Sequence, residues 1–257
     1  MNRRPAPDTP ALHRIAAVLL RYPDAAVLAA LDDVTAALPA VRDAADRARL
    51  AAVAAHLRAL PPGEAAERYV AVFDHTRRHC LHLTYYRHGD TRARGMALLA
   101  LKHTYRQAGH EPPEDELPDF LPLVLEFAAL APEPGHRVLL QCRAGLELLR
   151  QSLAERRDPY APVLDAVCGR LPRPGRRERD TWRRLAAEGP PSEHVGAQRA
   201  GTEPFAPPEY LASAQMTPER TAPVPTGPAP AAPAPTAPVL MTPVPTTPAA
   251  TASGEDR

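Results

Sequence analysis

Lysine is nearly absent from this chain: of 31 lysine and arginine residues, only Lys102 is a lysine. It follows Leu101, which excludes a Walker-type phosphate loop, whose lysine must follow a glycine. A Schiff-base enzyme would also have that single candidate. Serine is scarce as well. Ser152, Ser192, Ser213 and Ser253 lie in no G-x-S-x-G setting, and three of them fall in or near a proline-rich end, so a nucleophile elbow is excluded. The three cysteines, Cys80, Cys142 and Cys168, are odd in number and widely spaced, which fits neither a disulfide framework nor a C-x-x-C zinc site. Reduced thiols in the cytosol are the simplest reading. No sign of charge dominates: a formal net charge of +1 gives no push toward nucleic acid or an anionic membrane. No apolar run approaches the ~18 residues of a membrane span. The most apolar stretch, from Leu121 to Ala131, contains Pro122 and Glu126. The polar, proline-rich start from Met1 to Pro10 has no signal-peptide core behind it, and the expected compartment is the cytoplasm.

Proline, by contrast, is abundant. Of 33 prolines, ten lie between Thr221 and Ala250 among Ala, Thr and Val, with no aromatic and no charge. Such a stretch cannot bury enough large side chains to offset backbone ordering, so a disordered, locally polyproline-II tail is expected over 201–257. The rest reads as one domain. Leu12, Ile15, Ala16 and Leu19 recur at helical spacing behind Asp8 or Thr9 as cap and Pro10 as first helical residue. Val27, Leu31 and Val34 repeat the pattern, and an alanine-rich helix is expected from Pro39 to Leu60. Asp90 should cap a helix ending at Gly109, and Val138, Cys142, Leu146, Leu149 and Leu153 predict one long helix. L-H-L-T-Y-Y, from Leu81 to Tyr86, alternates like a strand, but a lone strand leaves its backbone groups unpaired, so a short helix with loop is expected instead. The fold class is all-α: a single-domain bundle of about eight helices over 8–171. An arginine-rich connector, solvated and broken at its start by Pro172, Pro174 and Gly175, follows over 172–200.

Few residues could carry chemistry. His75, His79, Cys80 and His82 are ligand types, and on a helix His75 and His79 would sit one turn apart. No matching acidic or cysteine pair falls nearby, and Arg77, Arg78 and Arg87 would repel a cation, so no metal is expected. Glu111, Glu114, Asp115, Glu116, Asp119 and Glu126 form an acidic stretch free of lysine and arginine. A solvated rim that attracts a basic peptide toward a groove is one reading of it. For Asp119 the plainer one is a cap on the helix that begins near Leu121.

The stretch E-R-Y-V-A-V-F-D-H-T-R-R-H-C-L-H-L-T-Y-Y-R-H-G-D-T-R-A-R-G-M-A-L-L from Glu67 to Leu99 is followed by Tyr105 and Gly109. D-E-L-P-D-F-L-P-L-V-L-E-F-A-A then runs from Asp115 to Ala129. Together they closely resemble the delta-subunit family, the molybdenum-cofactor assembly chaperones of respiratory nitrate reductase, within the wider family of all-helical redox-enzyme maturation chaperones. The resemblance implies no catalytic residue, no metal and no cofactor. It implies a protein outside the finished reductase that binds the N-terminal segment of the unassembled alpha subunit and, indirectly, meets the beta subunit and the cofactor-insertion machinery. A molybdoenzyme with a twin-arginine leader is the alternative client. The family's peptide-contact region falls on Leu117, Pro118, Asp119 and Leu121. Phe120 stands where many relatives of the wider family have histidine, a departure that argues against a polar role. The expected peptide-binding residues are Tyr69, Phe73, Tyr86, Glu116, Asp119, Phe120, Leu121 and Glu126; the apolar ones also suit a core.

Overall fold

Stripes of leucine, valine and alanine at helical spacing become helices throughout the computed structural model, which describes residues 6–191 and the short strand Thr242–Pro243. In chain order they are α1 (Thr9–Leu19), α2 (Ala25–Ala37), α3 (Ala44–Ala59) and α4 (Pro62–Phe73). After α4 come the short α5 (Tyr85–His88), α6 (Arg92–Gln107), α7 (Leu121–Leu130), α8 (Pro132–Gln141), α9 (Arg143–Glu155), α10 (Ala161–Gly169) and α11 (Arg176–Glu188). Single 3-10 turns cover Leu38–Ala40 and Arg77–His79. The strand β1 (His110–Glu111) pairs antiparallel with β2 (Thr242–Pro243). The rest of the expected tail lies outside the described residues.

Caps explain several boundaries. Asp24 and Asp43 each accept the backbone N–H three residues on, at 2.8 and 2.9 Å, and so satisfy first-turn donors of α2 and α3. The alanine-rich helix therefore starts at Ala44 rather than Pro39. Asp8 and Asp90, both expected caps, do other work. Asp8 accepts the Arg42 N–H at 2.9 Å and pairs with Arg170 at 2.9 Å, since a half-buried guanidinium at the end of α10 favours carboxylate partners; Asp46 supplies the other. Asp90 pairs with Arg94, and Thr91 stands at the start of α6.

The core runs along α1, α7, α8 and α10. Leu12, Leu19, Leu121, Val124, Leu125 and Phe127 are all fully buried, each such side chain contributing about 1.5–3 kcal/mol of transfer free energy. Gly135 of α8 sets the closest approach: a Cβ there would lie 2.2 Å from the Ala128 Cα. The single helix expected through Cys142 is two, because the chain turns at Cys142 between α8 and α9. α6 is the exception to good burial. Leu101 and Tyr105 enter the core, but Met96 and Leu99 are 68% and 60% exposed.

The arginine-rich segment expected to leave as a solvated connector instead forms α11. Glu178 accepts the Gly175 N–H at 2.7 Å to start it, and Trp182 is buried with the Arg143 guanidinium 5.4 Å from its ring centroid. Helical spacing aims Trp182 and, one turn on, the partly buried Leu185 inward from an otherwise polar helix.

Candidate functional site

The strand-like alternation of L-H-L-T-Y-Y has a partner after all. Leu83 N–H donates to the Asp119 carbonyl at 3.0 Å and Leu121 N–H to the Leu81 carbonyl at 2.9 Å, making one antiparallel bridge between His82 and Phe120. The chain then turns into α5. The two recognised motifs thus meet through their backbones, and the expectation of a loop without strand pairing is corrected: the unpaired groups find L-P-D-F-L, 35 and more residues downstream.

Asp119 lies at this crossing with no solvent exposure. Its carboxylate accepts the Thr84 N–H at 3.1 Å, the Thr84 hydroxyl, and His82 Nδ1 at 3.2 Å, with Arg94 at 3.8 Å. Burial alone would raise its pKa, but the hydrogen bonds from His82 and Thr84 and the Arg94 charge hold it below the ordinary carboxylate value. Asp119 is therefore not the cap of α7, whose N-cap is Phe120 with no side-chain bond, nor part of a solvated rim. A carboxylate that binds both ends of the 82–84 segment positions His82 and fixes the bridge.

Beside the bridge opens a cavity of about 310 Å³. Tyr69, Phe73, Tyr85 and Phe120 make its aromatic lining, while Asp74, Arg77 and His82 bring polar groups. The aromatics brace one another: Tyr69 and Phe73 lie 4.7 Å apart, Phe73 and Tyr160 5.0 Å, and His82 tilts over Phe120 at 5.5 Å. The Tyr69 hydroxyl donates to the Leu20 carbonyl at 3.1 Å, which anchors α4 to the end of α1. Tyr22 packs edge-on against Tyr69 at 5.5 Å and is 47% exposed. Leu117 is exposed too. Half-buried Glu116 is pushed above the usual carboxylate range by burial.

Of the residues singled out in the sequence, Tyr69, Phe73 and Phe120 line this cavity. Leu121 is fully buried in the core. Tyr86 is buried and faces a different cavity, lined also by α9 and α11. Glu126, expected on the acidic rim, is buried and bonded to Arg21 at 3.0 Å, because the first turns of α7 are buried all round and an acid there requires a partner. Tyr22, His82 and Tyr85 were not singled out as peptide contacts. The T-Y-Y and L-H-L alternation was the signal for the last two; nothing near Tyr22 marked it.

The histidines divide as well. His79 is buried, Nδ1 against the Val72 carbonyl at 2.8 Å and Nε2 against Ser152 Oγ at 2.9 Å, so it staples α4 to α9. His75 is exposed. No group of three metal-ligating side chains occurs among the described residues. Cys80 is a poor nucleophile, since burial pushes its thiol up.

Fold and cleft together define an all-helical protein with an open aromatic cleft beside a buried polar cluster. The sequence profile of the nitrate reductase delta subunit matches residues 34–166, and the chain belongs to that family. It is 35% identical over 161 residues to the probable nitrate reductase molybdenum cofactor assembly chaperone NarJ of Bacillus subtilis, covering 62% of this chain and 88% of that one. With NarJ of Escherichia coli K12 it shares 33% over 152 residues, 58% of this chain and 64% of the relative. A segment of 108 residues is 49% identical to the nitrate reductase-like protein NarX of Mycobacterium tuberculosis, covering 42% of this chain but 17% of that longer protein. No helix among the described residues is long and apolar enough to cross a membrane.

Proposed function

We propose that this chain is a cytoplasmic, system-specific assembly chaperone of nitrate reductase and not an enzyme. It binds the N-terminal segment of the unassembled alpha subunit, holds it with its beta partner, permits insertion of the molybdenum cofactor, and leaves before the complex docks on the membrane. The observation that carries the reading is the aromatic cleft formed where the two family motifs meet. An opening of about 310 Å³ walled by Tyr69, Phe73, Tyr85 and Phe120 suits apolar side chains of a peptide. Asp74, Arg77 and His82 at its edge suit the peptide's polar main chain. Relatives named as molybdenum cofactor assembly chaperones supply the client class. Glu116 and the exposed acids Glu114 and Asp115 beside Leu117 favour a basic segment end.

Calorimetric titration of the full chain with a synthetic N-terminal segment of the alpha subunit tests this. Saturable binding with a negative heat-capacity change, weakened in Phe120→Ala, is expected. Absence of binding, or binding indifferent to Phe120→Ala, would overturn the assignment of the cleft.

A further inference from the structure

We infer that the client segment is gripped in two places, the second being a cavity built by α11. The inference rests on the cleft reading above and extends it. This second cavity, about 330 Å³, lies between the Arg77–His79 turn, α9 and α11. Leu148, Leu185, Ala186, Ala187 and Tyr86 give it an apolar lining, with Arg77 and Glu155 among the polar groups. It is of the size that ordinarily receives ligand groups.

Arg77 lines both cavities, so they flank one ridge of chain. That ridge is fixed from beneath: the Tyr86 hydroxyl sits 2.9 Å from the Arg78 carbonyl and 3.0 Å from that of Cys80. A peptide that crosses it meets the Arg77 guanidinium, which has five N–H donors and no acceptor. Main-chain carbonyls of an extended segment answer those donors. The occupant is therefore the continuation of the same client segment past the cleft, placing one large aliphatic or aromatic side chain between Leu148 and Leu185. The α11 wall lies beyond the residues matched to the family, 34–166, and a second grip there adds discrimination for this chain's own client.

Trp182 makes the test direct, since it is the only tryptophan of the chain and lies on α11 one turn before Leu185 and Ala186. The full chain is titrated with a tryptophan-free synthetic N-terminal segment of the alpha subunit, by calorimetry and by Trp182 emission. Ala187→Phe fills the second cavity from an exposed position. A shortened segment serves as an independent arm that leaves the protein unaltered. The expected result is an emission change on binding of the whole segment, lost with the shortened one, and affinity lower by about tenfold in Ala187→Phe, the worth of one buried apolar side chain. Wild-type affinity in Ala187→Phe with silent Trp182 would overturn the second grip while the cleft stands. No heat and no emission change with the wild-type chain would overturn both.

Discussion

Between α1, α7 and α8 the helices pack closely through apolar side chains, with one glycine at the tightest approach, whereas around residues 74–91 the chain leaves an opening bordered by polar tethers. In the first region Gly135 lets α8 lie against Ala128, and even His13 and His136 are buried there. In the second, Asp119, Thr84, His82 and the Tyr86 hydroxyl bind backbone and one another, while the aromatic rings they support stay open on one side. Apolar packing tends to fill any void it can reach. A cleft that must remain unfilled therefore needs directional contacts under it, and buried ones that are fully satisfied provide rigidity.

The strongest way to break the closed region is Gly135→Val. Its Cβ would fall 2.2 Å from the Ala128 Cα, and because backbone must move, a loss of about 3 kcal/mol or more is expected. Circular-dichroism melts would show it as a large drop in Tm. Acid should reach the same region next. Burial, with the charges of His136 and Arg170, lowers the His13 pKa from 6.5 to about 4 despite the nearby Ala128 backbone. The folded value lies below the unfolded one, so stability is complete above about pH 6.5 and falls as pH drops toward 4, by about 3 kcal/mol at pH 4. Urea midpoints from pH 7 to 5 should decline in the wild type and flatten in His13→Leu.

Asp119→Ala sharpens the contrast from the other side. It strands the Thr84 donors and frees His82, for about 1–3 kcal/mol of stability together with lost peptide affinity. Asp119→Asn retains an acceptor for Thr84 and should be milder on both counts. Equal melting of the alanine variant and the wild type would show that the cleft stands without its tether. The smallest effect belongs to the rim: Tyr22→Ala should leave Tm nearly unchanged and weaken peptide binding a few-fold at most, since an exposed ring buries little new area.

These regions also differ in how far the sequence announced them. Helical periodicity marked α1 and α2 because one buried face repeats every turn or so, and the resemblance named the stretches that line the cleft. What periodicity could not report was pairing across distance. The bridge of His82 with Phe120 joins segments 38 positions apart, and nothing local in L-H-L-T-Y-Y says where its backbone partners lie. The same blindness made Asp119 look like a cap or a rim charge, since the spacing to Leu121 suits a cap and only the fold brings Thr84 beneath it. Tyr22, just past the end of α1, packs against Tyr69 of the cleft wall without lining the cavity itself, and no motif announced that contact. Trp182 was visible as the lone aromatic in an arginine-rich segment, yet nothing local showed that it would lie against Arg143 of α9.

A client seated at the open, tethered region would contact Tyr22 and leave the exposed Met96 and Leu99 of α6 untouched. A photoreactive phenylalanine analogue placed at Tyr22 in one variant and at Met96 in another, irradiated with the alpha-subunit N-terminal segment, separates the two surfaces. The expected result is a covalent adduct from position 22, competed by unlabelled segment, and none above background from position 96. Adducts from position 96 alone would put the client on α6 and overturn the cleft as its seat.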